Sequence, residues 1–310
     1  MRLIRKIMSS RNNGLVPGKK FLVGASGGRI LYSLNGSDFI NTNAAIASNY
    51  EVTKIIKGGN KYYASLGNSV ILTSDDGVTW DAGVNAGFAS IRSMVVVGEY
   101  IYAVGDSGIY RANIANLADG NWTRVFTTPY ATTYYDIVYG AGLFVAVGSG
   151  GRISTSSDGV NWIARTSGIS VNIFSIAYGS GGNGNKYFMA AAGSGNIIHS
   201  TDGITWNNAQ YGYGLGSQEV YAIANHTEIN GIGSFGIGTW TGTIGRVTEP
   251  SAYTNNTSQT GSINDIVFDG NGIMYAAIAN NLVIFNKLDS VSVLPNKLLG
   301  STNNTALFYG

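Results

Sequence analysis

The sequence predicts an all-β protein folded as a single β-propeller, and three observations carry that expectation. Two apolar runs joined by a Gly-rich turn recur along the chain, with anchors at Leu22, Tyr62, Ile101, Phe144, Tyr187, Phe235 and Met274, spaced by 39 to 48 residues. Another short apolar run precedes most copies, at 52–56, 91–97, 134–139, 173–178, 220–224 and 263–268. Helical periodicity is nearly absent. Short strands about 8–12 residues apart with turn residues between them indicate an all-β chain. Four strands repeated about every 40–45 residues indicate a propeller blade. The expected ring has seven four-stranded blades, with six or eight as the neighbouring counts.

Composition supports this reading. The chain has 310 residues, enough for a large core, with 44 glycines, only 12% charged residues and a net charge of +2. Glycine is about twice and charge about half the usual share. The glycines sit in turns and follow no triplet period, which excludes collagen. Ordinary hydrophobicity with low net charge argues against disorder. With no cysteine, there can be no disulfide framework or thiolate metal site. The N-terminal stretch M-R-L-I-R-K-I-M-S-S lacks the apolar core of a signal peptide. No apolar run is long enough for a membrane span.

Taken in order, the first copy runs from Phe21 to Phe39, F-L-V-G-A-S-G-G-R-I-L-Y-S-L-N-G-S-D-F, with Asn35-Gly36 at its turn. The second is Lys61 to Trp80, K-Y-Y-A-S-L-G-N-S-V-I-L-T-S-D-D-G-V-T-W. The third starts at Tyr100 and ends, after a longer loop, at Asp119-Gly120-Asn121-Trp122. Copies four and five, Phe144 to Trp162 and Lys186 to Trp206, are the clearest; copy six, from Gly233, and copy seven, Ile273 to Phe285, have lost the Asp-Gly turn. Residues 1–20 form an N-terminal arm or the first strand, 21–290 the propeller, and 291–310 a tail or ring-closing strand. If 1–20 is an arm, residues 305–309 return to close the ring, because an open sheet edge would otherwise be exposed.

The S-x-D-G-x-x-W element has a local job. Asp-Gly favours a hairpin turn, with the carboxylate accepting nearby N–H groups and Gly taking positive φ. Ser can cap the turn and Trp can fold over it. Ser74, Asp76 and Trp80, then Ser156, Asp158 and Trp162, then Ser200, Asp202 and Trp206 resemble the Asp-boxes, or bacterial neuraminidase repeats. These occur in sialidases, sortilin-like receptors, some glucanases and photosystem II assembly factors. The resemblance implies a propeller in which the boxes are structural and lie away from the functional face.

A sialidase would also carry an arginine triad, a Tyr–Glu pair, an acidic Asp and an Arg-Ile-Pro motif. No Arg-Ile-Pro occurs, and only Arg92 falls in an expected innermost strand. Another glycoside hydrolase would need two carboxylates about 5–9.5 Å apart. Asp136 and Asp265 occupy matching innermost positions, but three blades apart, so they read as channel residues that tie blades or bind water. His199 and His226 have no metal-ligand or triad spacing. The Gly-rich turns join two strands, whereas a phosphate loop needs a following helix. Arg2, Arg5, Lys6, Arg11, Lys19 and Lys20 cluster at the N-terminus, as an arm for an acidic partner or a solvated end, and the rest of the chain lacks a basic patch with interleaved aromatics, so nucleic acid is not an expected partner. The 19 tyrosines, with Gly, Ser and Asn, suit a recognition surface, and Tyr211 and Tyr213 are its candidate contacts.

The expected function is a non-enzymatic binding or structural propeller with no cofactor and no metal. Low charge and Gly/Ser/Asn/Tyr enrichment resemble phage virion proteins. That likeness implies a tail, fibre or capsid-attached component docking on other subunits or host glycans, and hence a virion location, with the cytoplasm as the alternative. The other readings are a glycoside hydrolase or sialidase-like enzyme using channel carboxylates, and a cellular assembly factor.

Overall fold

The computed structural model describes residues 20–309 apart from 36–37, 43–49, 89, 107, 128–131, 210–214, 228–229, 250–251, 259–260, 270, 279–280, 286–290 and 295–303. The expected N-terminal arm, Tyr211 and Tyr213 lie outside the described residues.

The chain begins with β1 (Phe21–Ala25), β2 (Ile30–Ser33) and β3 (Ile40–Asn41). Six blades of four consecutive strands follow. Blade one holds β4 (Val52–Gly58), β5 (Lys61–Leu66), β6 (Val70–Ser74) and β7 (Val84–Asn85). Blade two holds β8 (Ile91–Val97), β9 (Tyr100–Gly105), β10 (Gly108–Asn113) and β11 (Thr123–Thr127). Blade three holds β12 (Tyr134–Gly140), β13 (Leu143–Gly148), β14 (Ile153–Ser156) and β15 (Ile163–Arg165). Blade four holds β16 (Ile173–Ser180), β17 (Lys186–Ala192), β18 (Ile197–Ser200) and β19 (Asn207–Ala209). Blade five holds β20 (Val220–Thr227), β21 (Gly233–Thr239), β22 (Thr243–Glu249) and β23 (Ala252–Ser258). Blade six holds β24 (Ile263–Phe268), β25 (Met274–Ile278), β26 (Asn281–Phe285) and β27 (Val291–Leu294).

The expectation of seven such units is therefore corrected: the chain forms six contiguous four-stranded blades. The ring is completed by a sheet of different construction, in which β28 (Asn304–Tyr309) pairs antiparallel with β1, ahead of β2 and β3. The first sequence copy brings only three described strands. Its inner strand comes from the far end of the chain.

The inner strands β28, β4, β8, β12, β16, β20 and β24 contact one another in a closed cycle, which makes the assembly a propeller. Second strands are buried on both faces, because each blade is covered by a neighbour on either side. β17 shows how the period-two alternation of a strand serves this arrangement. Phe188, Ala190 and Ala192 enter a cluster with Val145 and Val147 of blade three, while Tyr187, Met189 and Ala191 join Phe235 and Ile237 of blade five. Hence these strands read as continuous apolar runs instead of alternating ones. Closure uses the same device, with Phe21 and Val23 packed on Tyr275 and Ala277.

Candidate binding site at the channel mouth

Every inner strand has one irregularity at the same place. Pairing with the second strand slips between Val52 and Lys54, Ile91 and Ser93, Tyr134 and Asp136, Ile173 and Ser175, Val220 and Ala222, and Ile263 and Asp265. In the closing sheet Ala25 pairs Asn304 and Gly24 pairs Ala306, which leaves residue 305 at the equivalent position. A bulge adds one residue to a strand and re-aims its side chain. The extra residues of the six blades are Thr53, Arg92, Tyr135, Phe174, Tyr221 and Asn264. Together with Glu51 they line a cavity of about 380 Å³ at the mouth of the channel.

The cavity has two unlike walls. On consecutive blades, Tyr135 and Phe174 have ring centroids 5.5 Å apart, and Phe174 meets Tyr221 edge to face at 4.8 Å and 85°. Tyr221 donates its hydroxyl to Glu219 Oε2 at 2.6 Å. Burial, with Glu219 beside it, pushes the Tyr221 phenol up to about 12. The other wall is polar. Arg92 has a long contact of 3.7 Å to Asp106, with its side chain 45% exposed. Glu51 is exposed and forms no ion pair among the described residues. Thr53 is committed to the fold, donating to the Ile91 carbonyl at 2.9 Å.

Below the mouth the channel narrows to a chamber of about 90 Å³ that adds Lys54, Ser93, Asp136, Ser175 and Asp265. Asp136 is buried, and both of its oxygens are occupied. Oδ1 accepts from Ser93 Oγ at 2.6 Å and Ile137 N at 2.9 Å. Oδ2 accepts from Ser175 Oγ at 3.0 Å and Ile176 N at 2.9 Å. One carboxylate thus ties the inner strands of blades two, three and four. Asp265 accepts from Ile266 N at 2.9 Å. Burial works to lower the Lys54 pKa, but attraction to Asp136 and Asp265 outweighs it and holds the ammonium above its usual value. The chamber thus gathers one ammonium and two carboxylates beneath the mouth.

The S-x-D-G turns sit at the opposite end of the blades, after the third strand. In each, the Ser hydroxyl donates to the Asp and accepts from the Gly N–H. The distances are 3.0 and 2.8 Å for Ser74, 2.9 and 2.8 Å for Ser156, and 2.8 and 2.8 Å for Ser200. Asp76, Asp158 and Asp202 each accept two further backbone N–H groups through Oδ1. Those bonds favour the ionised form. They lower Asp76 and Asp202 to about 2, and hold Asp158 well below the usual carboxylate range. Trp80, Trp162 and Trp206 are buried beneath the turns. Asn35 repeats the arrangement, accepting from Ser33 Oγ at 2.9 Å and Asp38 N at 2.8 Å, with Phe39 buried in the Trp position.

The other sequence candidates are structural or distant from the mouth. His199 packs edge-on to Tyr187 in β18, and burial lowers its pKa. His226 lies against Phe268. The Ser149–Gly151 turn joins two strands, and its Gly150 N–H is donated to Asn172 Oδ1 at 3.0 Å. Sequence reading missed Tyr135, Phe174 and Tyr221. Their common place, one residue after a buried Tyr, Ile or Val that opens an inner strand, was an available signal.

This architecture is shared with solved structures. The chain is similar in fold to YCF48. For YCF48 from Cyanidioschyzon merolae the TM-score is 0.63 at 16% identity, over 86% of this chain and 91% of that one. YCF48 bound to D1 peptide gives 0.63 at 13% identity, over 82% and 85%. A computationally designed protein, Ika8, gives 0.57 at 14% identity, over 92% and 86%. At such identities the likeness reaches the propeller fold and goes no further. No protein-family profile matches the chain, and neither does the sequence of any curated protein. Among the described residues no helix is long and apolar enough to cross a membrane.

Proposed function

We propose that the chain is a non-enzymatic binding propeller that docks its channel-mouth face on another component of an assembly, in the setting of a phage virion. The saturation of Asp136 carries the non-enzymatic part of this reading. A carboxylate holding four hydrogen bonds across three blades has no free lone pair with which to take a substrate proton. The aromatic wall beside exposed Glu51 and Arg92 is a recognition surface of the usual kind, apolar area with a few fixed polar groups. The virion setting rests on the Gly-, Ser-, Asn- and Tyr-rich, low-charge composition.

One fold relative is described as bound to a peptide, which favours a second reading, a cellular assembly factor that receives a segment of a client protein on the same face. The two readings share the site and differ in setting. Mass spectrometry of purified particles, with tagged wild type and a Tyr135→Ala/Phe174→Ala variant supplied in trans, separates them. The virion reading expects the wild-type chain in particles and the folded variant depleted at least tenfold. Wild type absent from particles would refute the virion setting, and equal incorporation of both would remove the mouth from the docking face.

A further inference from the structure

We infer that the mouth cavity is a subsite for one uncharged sugar residue at the end of a glycan. The inference rests on the reading of this face as the docking surface and names the chemistry it takes. Three features favour it. Tyr135, Phe174 and Tyr221 give a wall of ring faces and edges, which suits the C–H face of a pyranose. The facing wall offers a donor fork at Arg92 and an acceptor pair at Glu51, while Asn264 lines it with its Oδ1 accepting from Ser262 Oγ at 3.2 Å. A hydroxyl is at once donor and acceptor, so a sugar can use both Arg92 and Glu51. The charged lining of the mouth is one cation and one anion, and they are not paired with each other. With Asp106 3.7 Å from Arg92 and Glu219 beside Tyr221, carboxylates outnumber cations around the mouth, which disfavours an anionic ligand and leaves charge-assisted hydrogen bonds for a neutral one.

Size and depth agree. A volume of about 380 Å³ lies at the small end of ligand pockets, large enough for one ring and its substituents. The narrower chamber of about 90 Å³ beneath it, lined by Lys54, Asp136 and Asp265, is too small for a sugar ring and stops the ligand from threading the channel. The rest of a glycan would therefore leave through the open mouth.

Saturation-transfer NMR on the full chain tests the inference. The probes are methyl glycosides of neutral hexoses, a deoxyhexose and an N-acetylhexosamine, beside a methyl sialoside and short capped peptides containing Tyr or Lys. The expected result is saturation of ring C–H protons of at least one neutral glycoside. Phe174→Ala should weaken binding at least tenfold, about 1.4 kcal/mol, and Glu51→Gln or Arg92→Ala several-fold. Leu34→Ser, at an exposed turn on the opposite face, should leave it unchanged. If Phe174→Ala does not fold, the exposed Arg92→Ala and Glu51→Gln variants decide alone. No response from any neutral glycoside, or a response insensitive to all three mouth substitutions, overturns the inference. Peptides or the sialoside binding with loss on Phe174→Ala would also overturn the sugar class while leaving the mouth as the docking site.

Discussion

Two glycines of blade three share a backbone conformation and differ in surroundings, so together they separate conformational strain from packing. Gly150 has φ 64° and open space within 4 Å of where a Cβ would stand, whereas at Gly159, φ 70°, a Cβ would lie 2.4 Å from Tyr102 Oη and 2.5 Å from its ring. Tyr102 belongs to blade two, is 4% exposed, and packs on Phe144 with centroids 4.4 Å apart. It cannot swing away without opening the interface between blades. Alanine at Gly150 should cost only the left-handed penalty, about 1–2 kcal/mol. Alanine at Gly159 adds overpacking, for about 2–5 kcal/mol in all. For a chain of this length about 1 kcal/mol corresponds to roughly 1.5 °C in melting temperature. Thermal unfolding followed by tryptophan fluorescence should therefore show Gly159→Ala melting about 1.5–4.5 °C below Gly150→Ala. Equal shifts would refute the claim that the Asp-Gly turn is wedged against the preceding blade.

Three further outcomes follow from the same geometry. Asp136→Asn should lower stability by about 2 kcal/mol or more in urea titration, because it breaks a buried network shared by three blades; a melting curve like wild type would reopen a catalytic role. The turn carboxylates Asp76 and Asp202, at about 2 in the fold against 3.8 as the ordinary value, contribute stability above about pH 4 that is lost as pH falls towards 2. Both are exposed, so each is worth no more than about 1 kcal/mol, and Asp202→Asn should flatten the acid limb of the stability profile. Phe188→Ala, at 0% exposure between blades three and four, should cost about 3–5 kcal/mol, measured as a lowered urea midpoint with the slope unchanged.

The strands were legible because burial on both sides of a blade demands apolar runs, and because turns between them demand glycine. Lys186 to Ala192 announces itself by that rule. The S-x-D-G turns were equally plain, since their hydrogen bonds are local and need only the residues of the turn. Ring closure was legible only as one of two alternatives, the return of residues 305–309, because the partner of Phe21–Ala25 lies at the far end of the chain and no local pattern reports such a pairing. Counting copies of the motif consequently gave seven equivalent units where the chain supplies six contiguous ones and a sheet shared between its ends.

The candidate site was hidden by a single residue of register. In a regular strand, side chains at i and i+2 share a face, so an alternation that turns Asp136 to the channel turns Tyr135 away from it. The bulge makes both meet it, Tyr135 at the mouth and Asp136 beneath. The same displacement repeats in every blade, which divides the inner strand into two layers with different constraints. The lower layer must satisfy neighbouring backbones, and Asp136 does so with every lone pair it directs at them. In the upper layer Thr53 reaches the next blade, while the polar contacts of Arg92 and Tyr221 to Asp106 and Glu219 stay within their own. Residues at this level can therefore differ from blade to blade without disturbing the scaffold. A ring built from near-identical units acquires an asymmetric channel mouth through that one extra position per blade.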